Sequence, residues 1–371
     1  MIAAGIAATL SAVGIGQAIA GWIAVRRFVT TAGRNNRVTA LVPVTVLKPL
    51  YGHEPLLKEA LTTVCQQDYP AYQIVFGISD AEDAAIPVLR DLQQRFPDRD
   101  ITVVVDRTVH GANGKVANLI NMLSAAKHDV LVIADSDVHA ASDWLLRLVA
   151  ALQAPDVGLV TTVYTGLPVR GIVAALGALQ INQYFLPGAL LARAMGREDC
   201  LGATMALRRE TLERIGGFRA LVNHLADDNV LGRLVQRLGL KVALADTIPA
   251  TTVPEEKLRE LWRHELRWAR TIRALVPAQF GASVLQYPLF WAALTGLAGG
   301  TLSLLWFAAV WSIRALAAHG IDRALGLANR SPLWLLPLRE LMSVAVLIAS
   351  YASRRVEWRG QTMQAEGFNP L

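Results

Sequence analysis

Val130-Leu131-Val132-Ile133-Ala134-Asp135-Ser136-Asp137 is an uninterrupted apolar run that ends on two carboxylates one residue apart. A short continuous apolar run of this kind reads as a strand covered on both faces. Four further runs fit the same description: 42–47, 73–78, 101–105 and 157–161. Helical patterns over Leu56 to Gln66, Ile86 to Phe96 and Val116 to Ala126 fill the gaps. Between Leu41 and about Ala278 the chain therefore alternates strand and helix, which predicts βαβ units, an α/β fold and a mainly parallel sheet. No internal repeat or low-complexity tract interrupts it.

Ligands of such a sheet collect beyond the carboxyl ends of the strands, so the residues that close each run are the candidates. They are acidic: Ser79-Asp80, Asp106 and Asp135-Ser136-Asp137. Asp106 reads as a cap or loop residue. Asp135 and Asp137 read differently, because alternate residues of an extended segment project to one side and offer two hard oxygens to a single divalent ion. An ion held by so few carboxylates is Mg²⁺ or Mn²⁺ completed by phosphates, so the expected ligand is a diphosphate. With no lysine cluster beside Asp135 and Asp137 in the sequence, that metal is expected to be required. His110-Gly111-Ala112-Asn113-Gly114-Lys115 has the wrong spacing for a P-loop, and Val116 stands where Ser or Thr is needed. Lys115 and Asn118 then either face the nucleotide from the start of the third helix or are solvated.

Two constellations follow. Asp227-Asp228 opens a helix, where paired acids serve as cap and dipole compensation, or supply the carboxylate that removes an acceptor hydroxyl's proton. Arg263-His264-Glu265-Leu266-Arg267-Trp268 lies on a basic amphipathic helix from about Glu255 to Leu275, with positions 264, 267 and 268 on one face. Trp268 excludes the zincin pattern that His264-Glu265 begins, and the competing reading is a membrane-surface helix with snorkelling Arg and Trp.

The chain has 371 residues, 53% of them hydrophobic and 18% charged, too apolar for a soluble enzyme and too charged for a bundle of spans. The apolar excess is local. Ile2 to Val25 carries no formal charge over roughly 24 residues, enough to cross a hydrocarbon core of about 30 Å. Arg26, Arg27, Arg34 and Arg37 follow and put the next stretch in the cytosol. Val284 to Ile313 reads as a tight pair of spans broken at Gly299-Gly300. Pro332 to Tyr351 is a further span interrupted by Arg339-Glu340, which are expected to pair with each other or to mark a functional interface. That makes three C-terminal spans. Gly171 to Met195, apolar but broken by Gln180, Asn182, Gln183 and Pro187, suits an interfacial helix pair, with ordinary core helices as the alternative. The division is an anchor over 1–27, a cytosolic catalytic domain over 38–280, membrane helices over 281–353 and a tail over 354–371. A net charge of +6 without a basic, aromatic-laced run argues against nucleic acid and for a membrane surface. Cys65 and Cys200 form neither a disulfide framework nor a zinc pattern.

Taken in order, Asp80, Asp135-Ser136-Asp137, Asp227-Asp228 and His264-x-x-Arg267-Trp268 resemble the pattern of lipid-directed GT-A glycosyltransferases, and within them the ceramide glucosyltransferase family, glycosyltransferase family 21. Val46-Leu47-Lys48-Pro49-Leu50, Gln66-Gln67-Asp68-Tyr69-Pro70, Lys115-Val116-Ala117-Asn118-Leu119, Gly202-Ala203-Thr204-Met205 and Arg339-Glu340 support this over nearly the whole chain. His110-Gly111-Ala112-Asn113, His224 to Asp228 and Trp262 to Trp268 are most similar to the bacterial hopanoid-associated branch, which adds N-acetylglucosamine from UDP-GlcNAc to a hopanoid polyol such as bacteriohopanetetrol. The resemblance implies an inverting, metal-dependent enzyme with a UDP-sugar donor and a membrane lipid acceptor, lodged in the inner membrane. It implies that Asp80 contacts the uridine end and that Asp135 and Asp137 hold metal and diphosphate. Asp228 would be the general base. Lys48, Pro49, Lys115, His264, Arg267 and Trp268 would line the donor site, although His264 stands where the motif usually has Gln or Arg. The alternatives are a ceramide glucosyltransferase using UDP-glucose and, in another class, a membrane scaffold or transporter with a regulatory α/β domain. A processive synthase would need more spans.

Overall fold

The computed structural model describes residues 2–32, 39–296, 299–353, 355–358 and 361–364. Arg34, Arg37 and Arg354, used above for the charge balance of the membrane flanks, lie outside the described residues. The chain divides into two compact units, one of 31–165 and 197–252, the other of 1–30, 166–196 and 253–371. The stretch read as one catalytic domain therefore lends 166–196 and the residues from 253 onward to the unit that holds the apolar helices.

Among the described residues the strands are β1 (Val44–Pro49), β2 (Tyr72–Ile78), β3 (Asp100–Val105), β4 (Val130–Ala134), β5 (Val138–His139), β6 (Val157–Thr161), β7 (Thr165–Pro168), β8 (Thr204–Arg208), β9 (Lys241–Leu244), β10 (Ala250–Val253), β11 (Arg355–Trp358) and β12 (Gln361–Gln364), the last two forming an antiparallel pair in the tail. Seven of them form one sheet in the order β3-β2-β1-β4-β8-β6-β9. All its pairings are parallel except those of β8, which is antiparallel to both β4 and β6. A single reversed strand inside an otherwise parallel sheet fits the expected mainly parallel α/β architecture. The five predicted strands are all present. β1 begins two residues later than the run 42–47 and continues through Lys48 and Pro49, because β2 offers partners that far: Lys48 aligns with Phe76 and Pro49 with Gly77. One face of the sheet carries the apolar core, with Val46, Ile74, Phe76, Val132 and Val160 essentially inaccessible beside Trp144 and Leu148 of the helix Trp144–Leu152, while Thr45 and Gln73 on the other face are buried and bonded to each other. The three predicted helices appear as Leu57–Cys65, Ile86–Arg95 and Gly114–Met122.

In the second unit, three helices among the described residues are long and apolar enough to cross a membrane: Ile2–Thr31, Thr301–Leu325 and Leu333–Ser350. The expected pair of spans between Val284 and Ile313 is not formed. Pro288–Thr295 is a helix of only 8 residues, about 12 Å at 1.5 Å per residue, far short of a hydrocarbon core. Among the described residues, two helices of spanning length follow residue 280, where three were expected. The tail returns to a helix that precedes them: Arg270 Nη1 donates to the Arg355 carbonyl (2.7 Å) and Arg273 Nη2 to that of Ser353 (2.9 Å), both from the helix Leu258–Leu275. The N-terminal helix packs by close approach, and a Cβ at Gly14 would stand 2.7 Å from the Leu285 carbonyl oxygen.

Gly171–Gln180, Ile181–Phe185 and Leu186–Ala194 follow one another as α, π and α helix, so this stretch is one continuous helix with a wide turn, not a separated pair. Its polar residues are spent on internal bonds. Gln180 Oε1 accepts from Ser343, Asn182 bridges both backbone groups of Gly166, and Gln183 Nε2 donates to Asp322 at 2.7 Å. The alternative of packed core helices thus describes these residues better. Arg339 and Glu340 are not paired with each other, since successive helical residues point about 100° apart. Arg339 is fully buried and grips Glu265 with two bonds, of 2.6 and 2.7 Å. Glu340 accepts from Tyr184 Oη and from the backbone N–H groups of Leu289 and Phe290.

Candidate functional site

Because β1, β2, β3 and β4 run parallel, their carboxyl ends emerge at one edge, and β8 enters there, Ala134 aligning with Thr204. Asp135, Ser136 and Asp137 form the turn between β4 and β5. The Asp135 N–H donates to the Ala203 carbonyl (3.1 Å), and the Asp137 carbonyl accepts from Thr252 (3.3 Å). Both carboxylates are half-buried. Burial, then the charges of Asp135 and Glu54, push the Asp137 carboxyl up to about 7, against the opposing pull of Lys48.

Two lysines that the family resemblance assigned to the donor site, Lys48 and Lys115, converge on this turn, although no lysine cluster neighbours it in the sequence. Parallel pairing of β1 with β4 brings Lys48 alongside; it is fully buried, and its ammonium has no hydrogen-bond partner among the described residues. Burial lowers it to about 8, with Asp137 and Asp135 opposing the fall. Lys115 sits in the first turn of Gly114–Met122, with Nζ 2.6 Å from Asp135 Oδ1 and 3.9 Å from Asp227 Oδ2. Burial alone would lower Lys115, but these two carboxylates outweigh it and hold the ammonium above its usual range. Asn113 fixes that helix start. Its side chain accepts from Val116 N and donates to the His224 carbonyl and to Asp227 Oδ1.

Asp227 and Asp228 open the helix Asp227–Arg237. Asp227 is buried against Lys115 and Asn113. Asp228 is half-buried, accepts from the Asn229 N–H (2.7 Å) and lies against Gly202, where a Cβ would be 2.9 Å from its Oδ2. Burial and then the neighbouring Asp227 raise the Asp228 carboxyl to about 7.

Other predicted residues lie apart from this cluster. Pro49 closes β1 opposite Gly77. Asp80 is exposed beyond β2; the Glu82 N–H and then Arg107 hold its carboxyl below the ordinary range. Asp106 accepts from Thr108 N as a turn residue, as expected. Asn118 is not solvated: it is buried and donates to the Gly77 carbonyl at 2.8 Å, a position any Cβ on Gly77 would displace. His264, Arg267 and Trp268 stand on Leu258–Leu275 in the other unit. There His264 Nδ1 bonds Glu255, and its ring meets Trp268 edge-on at 4.5 Å between centroids. Burial would raise Glu255, but His264 more than offsets it and leaves the carboxyl below its ordinary range.

Sequence reasoning missed Glu54 and Glu255. Glu54 Oε2 accepts from Ser136 Oγ and so props the turn that carries the two aspartates. The signal was its place in the loop that leaves β1 at the ligand edge. Among the described residues no three His, Cys, Asp or Glu side chains gather closely enough to cage a metal alone. The two carboxylates of the turn, Asp135 and Asp137, propped by Glu54 through Ser136, nevertheless suit a divalent ion that takes its remaining ligands from phosphate.

The sequence pattern of Glycosyl transferase family 21 matches residues 6–367. Ceramide glucosyltransferase 3 of Caenorhabditis elegans is 22% identical over 339 residues, which cover 86% of this chain and 72% of that protein. The ceramide glucosyltransferase of Komagataella phaffii is 34% identical over 114 residues, 30% of this chain and 22% of that protein. Among solved structures, the mannosyltransferase PcManGT from Pyrobaculum calidifontis, in complex with GDP-Man and Mn²⁺, superposes with a TM-score of 0.52 at 23% identity. It covers 92% of this chain and 99% of its own. That likeness is one of fold: the sheet is of the GT-A type.

Proposed function

The chain belongs to glycosyl transferase family 21, and we propose that it moves a sugar from a nucleotide diphosphate donor to a hydroxyl of a membrane lipid, with inversion. The observation that carries this reading is the convergence of Lys115, Asp135 and Asp227 within 4 Å at the ligand edge of the sheet. A cation between carboxylates, beside a second buried lysine, is an arrangement for gathering a diphosphate and the metal that accompanies it.

Asp135 and Asp137 would hold the Mg²⁺ or Mn²⁺, which when bound supplies charge stabilisation for the departing diphosphate; the Mn²⁺ in the mannosyltransferase complex supports a divalent ion. Asp80 would contact the uridine end, and Lys48 and Pro49 would close the floor beneath the sugar-phosphate. Asp228 takes the proton of the acceptor hydroxyl as its oxygen bonds to the anomeric carbon. The bond from that carbon to the diphosphate oxygen breaks in the same displacement, and the electron pair leaves with the diphosphate. Arg267 and Trp268 would cover the donor, Arg267 facing the leaving charge. With Nδ1 committed to Glu255, His264 has only Nε2 left for a diphosphate contact.

The favoured donor and acceptor are UDP-GlcNAc and a hopanoid polyol, bacteriohopanetetrol. The curated relatives, both ceramide glucosyltransferases, support equally a transfer of glucose from UDP-glucose to ceramide. The catalytic unit would face the cytosol from the inner membrane, which Arg26 and Arg27, near the carboxyl end of the first helix, support. Protein partners are not assigned. Purified enzyme in nanodiscs, given a panel of UDP-sugars with bacteriohopanetetrol and ceramide and read by mass spectrometry, tests this. Efficient transfer to a water-soluble sugar, with none to either lipid, would defeat both acceptors.

A further inference from the structure

The two lysines at the carboxylate turn differ in freedom. Lys48 lies within β1, bonded by register to β2 and β4, and is fully buried, so its ammonium is a fixed charge. Lys115 reaches in from a helix's first turn on a four-carbon arm, its side chain 13% exposed. Its Nζ already occupies Asp135 Oδ1 at 2.6 Å, the carboxylate that the proposed function gives to the metal. An ammonium and a divalent ion on one carboxylate repel each other strongly at this range. Asp227 Oδ2, 3.9 Å away and itself anchored by Asn113, offers the ammonium a second hold inside the same cluster.

We propose that Lys115 is the resting counter-ion of Asp135 and is drawn from it by the donor's diphosphate, so that nucleotide and metal each make room for the other. The inference rests on the metal and donor reading given above. In the donor-free protein Lys115 screens Asp135, and a divalent ion binds weakly. A diphosphate brings negative charge to the edge and gives the ammonium a stronger partner, as charge-assisted bonds to phosphate are. Asp135 is then released to the metal. Lys48 takes no part in the exchange and balances Asp137 throughout. Metal and nucleotide are thereby coupled through one side chain, and by linkage the coupling is the same read from either ligand.

The test is Mn²⁺ binding to the full chain in detergent, followed by electron paramagnetic resonance with and without UDP. Wild type should bind Mn²⁺ weakly alone and much more tightly with UDP. K115M should bind Mn²⁺ without UDP at least about tenfold more tightly than wild type, the scale of a lost charged hydrogen bond. UDP should then enhance its Mn²⁺ affinity by correspondingly less. K115Q should repeat this should K115M fold poorly, K115R should keep the wild-type coupling, and K127M, which removes a lysine paired with Asp100 elsewhere, should change neither value. Mn²⁺ affinity in K115M and K115Q equal to wild type, with wild type still binding Mn²⁺ in the presence of UDP, overturns the exchange and leaves the metal reading standing. No Mn²⁺ binding by wild type even with UDP overturns both.

Discussion

Replacing Asp228 by Asn should remove proton abstraction while leaving the donor bound. Among the described residues Asp228 makes no ion pair within 4 Å; its Oδ1 accepts from the Asn229 N–H and its Oδ2 lies over Gly202. Burial and the adjacent Asp227 hold its carboxyl near pH 7 rather than in the ordinary range. The sign follows directly: an acid raised to about 7 is protonated below that pH and cannot act as a base there. About a tenth of it is ionised at pH 6 and about nine tenths at pH 8, so kcat/KM for the donor should rise roughly tenfold across that window and then level. In Asp228→Asn the rise should vanish, and single-turnover transfer should fall by about 10² to 10⁴, the usual loss for a general base, with UDP-sugar affinity near wild type. Asp227→Asn differs, because Asp227 is tied to Lys115 and Asn113, and its loss loosens both and weakens donor binding as well. Single-turnover kinetics and UDP-sugar titration on both variants separate the cases. Near-normal transfer by Asp228→Asn with a dead Asp227→Asn would move the base one residue earlier. Activity in both, or a kcat/KM flat from pH 6 to 8 in wild type, would reduce this helix start to a cap.

Chelation with EDTA should abolish turnover and added Mn²⁺ or Mg²⁺ restore it, and Asp137→Asn should weaken donor binding and transfer together; full activity in EDTA would take the metal role from Asp135 and Asp137. Arg339→Met strands the buried Glu265 carboxylate and should lower stability by about 3–5 kcal/mol, seen as a fall in the thermal midpoint in detergent, whereas Glu265→Leu with Arg339→Met should recover much of it; additive losses in the double variant would show that the pair does not act as a unit. Cysteines introduced near Arg34 and at Ser353 should both resist a membrane-impermeant thiol reagent in intact cells, because the tail strand is tied back to Leu258–Leu275. Labelling of either position would reverse the assigned orientation.

Short-range pattern in the chain carries the strands and the residues that close them. Apolar runs closed by Asp80, Asp106 and Asp135-Ser136-Asp137 specify strands whose ends are polar, and alternation with helices makes those strands parallel, so their ends must share one edge. The acids of the site, and the helix start at Asp227, were legible for that reason. Tertiary structure decided which charge meets which. Lys115 reaches Asp135 only because Asn113 pins its helix start to the loop before Asp227, and no local spacing encodes that bond. Lys48 was placed at the donor site by family resemblance alone, and its closeness to Asp135 and Asp137 follows only from the pairing of β1 with β4. Arg339 and Glu340, adjacent in the chain, were expected to pair with each other or to mark a functional interface. The helix turns them apart, and burial obliges each to find partners elsewhere, Glu265 for one and, for the other, Tyr184, two backbone amides and the Arg314 guanidinium at 3.8 Å. Leaving a buried charge unpaired is costly, but which distant residue answers it is settled only when the helices close around it.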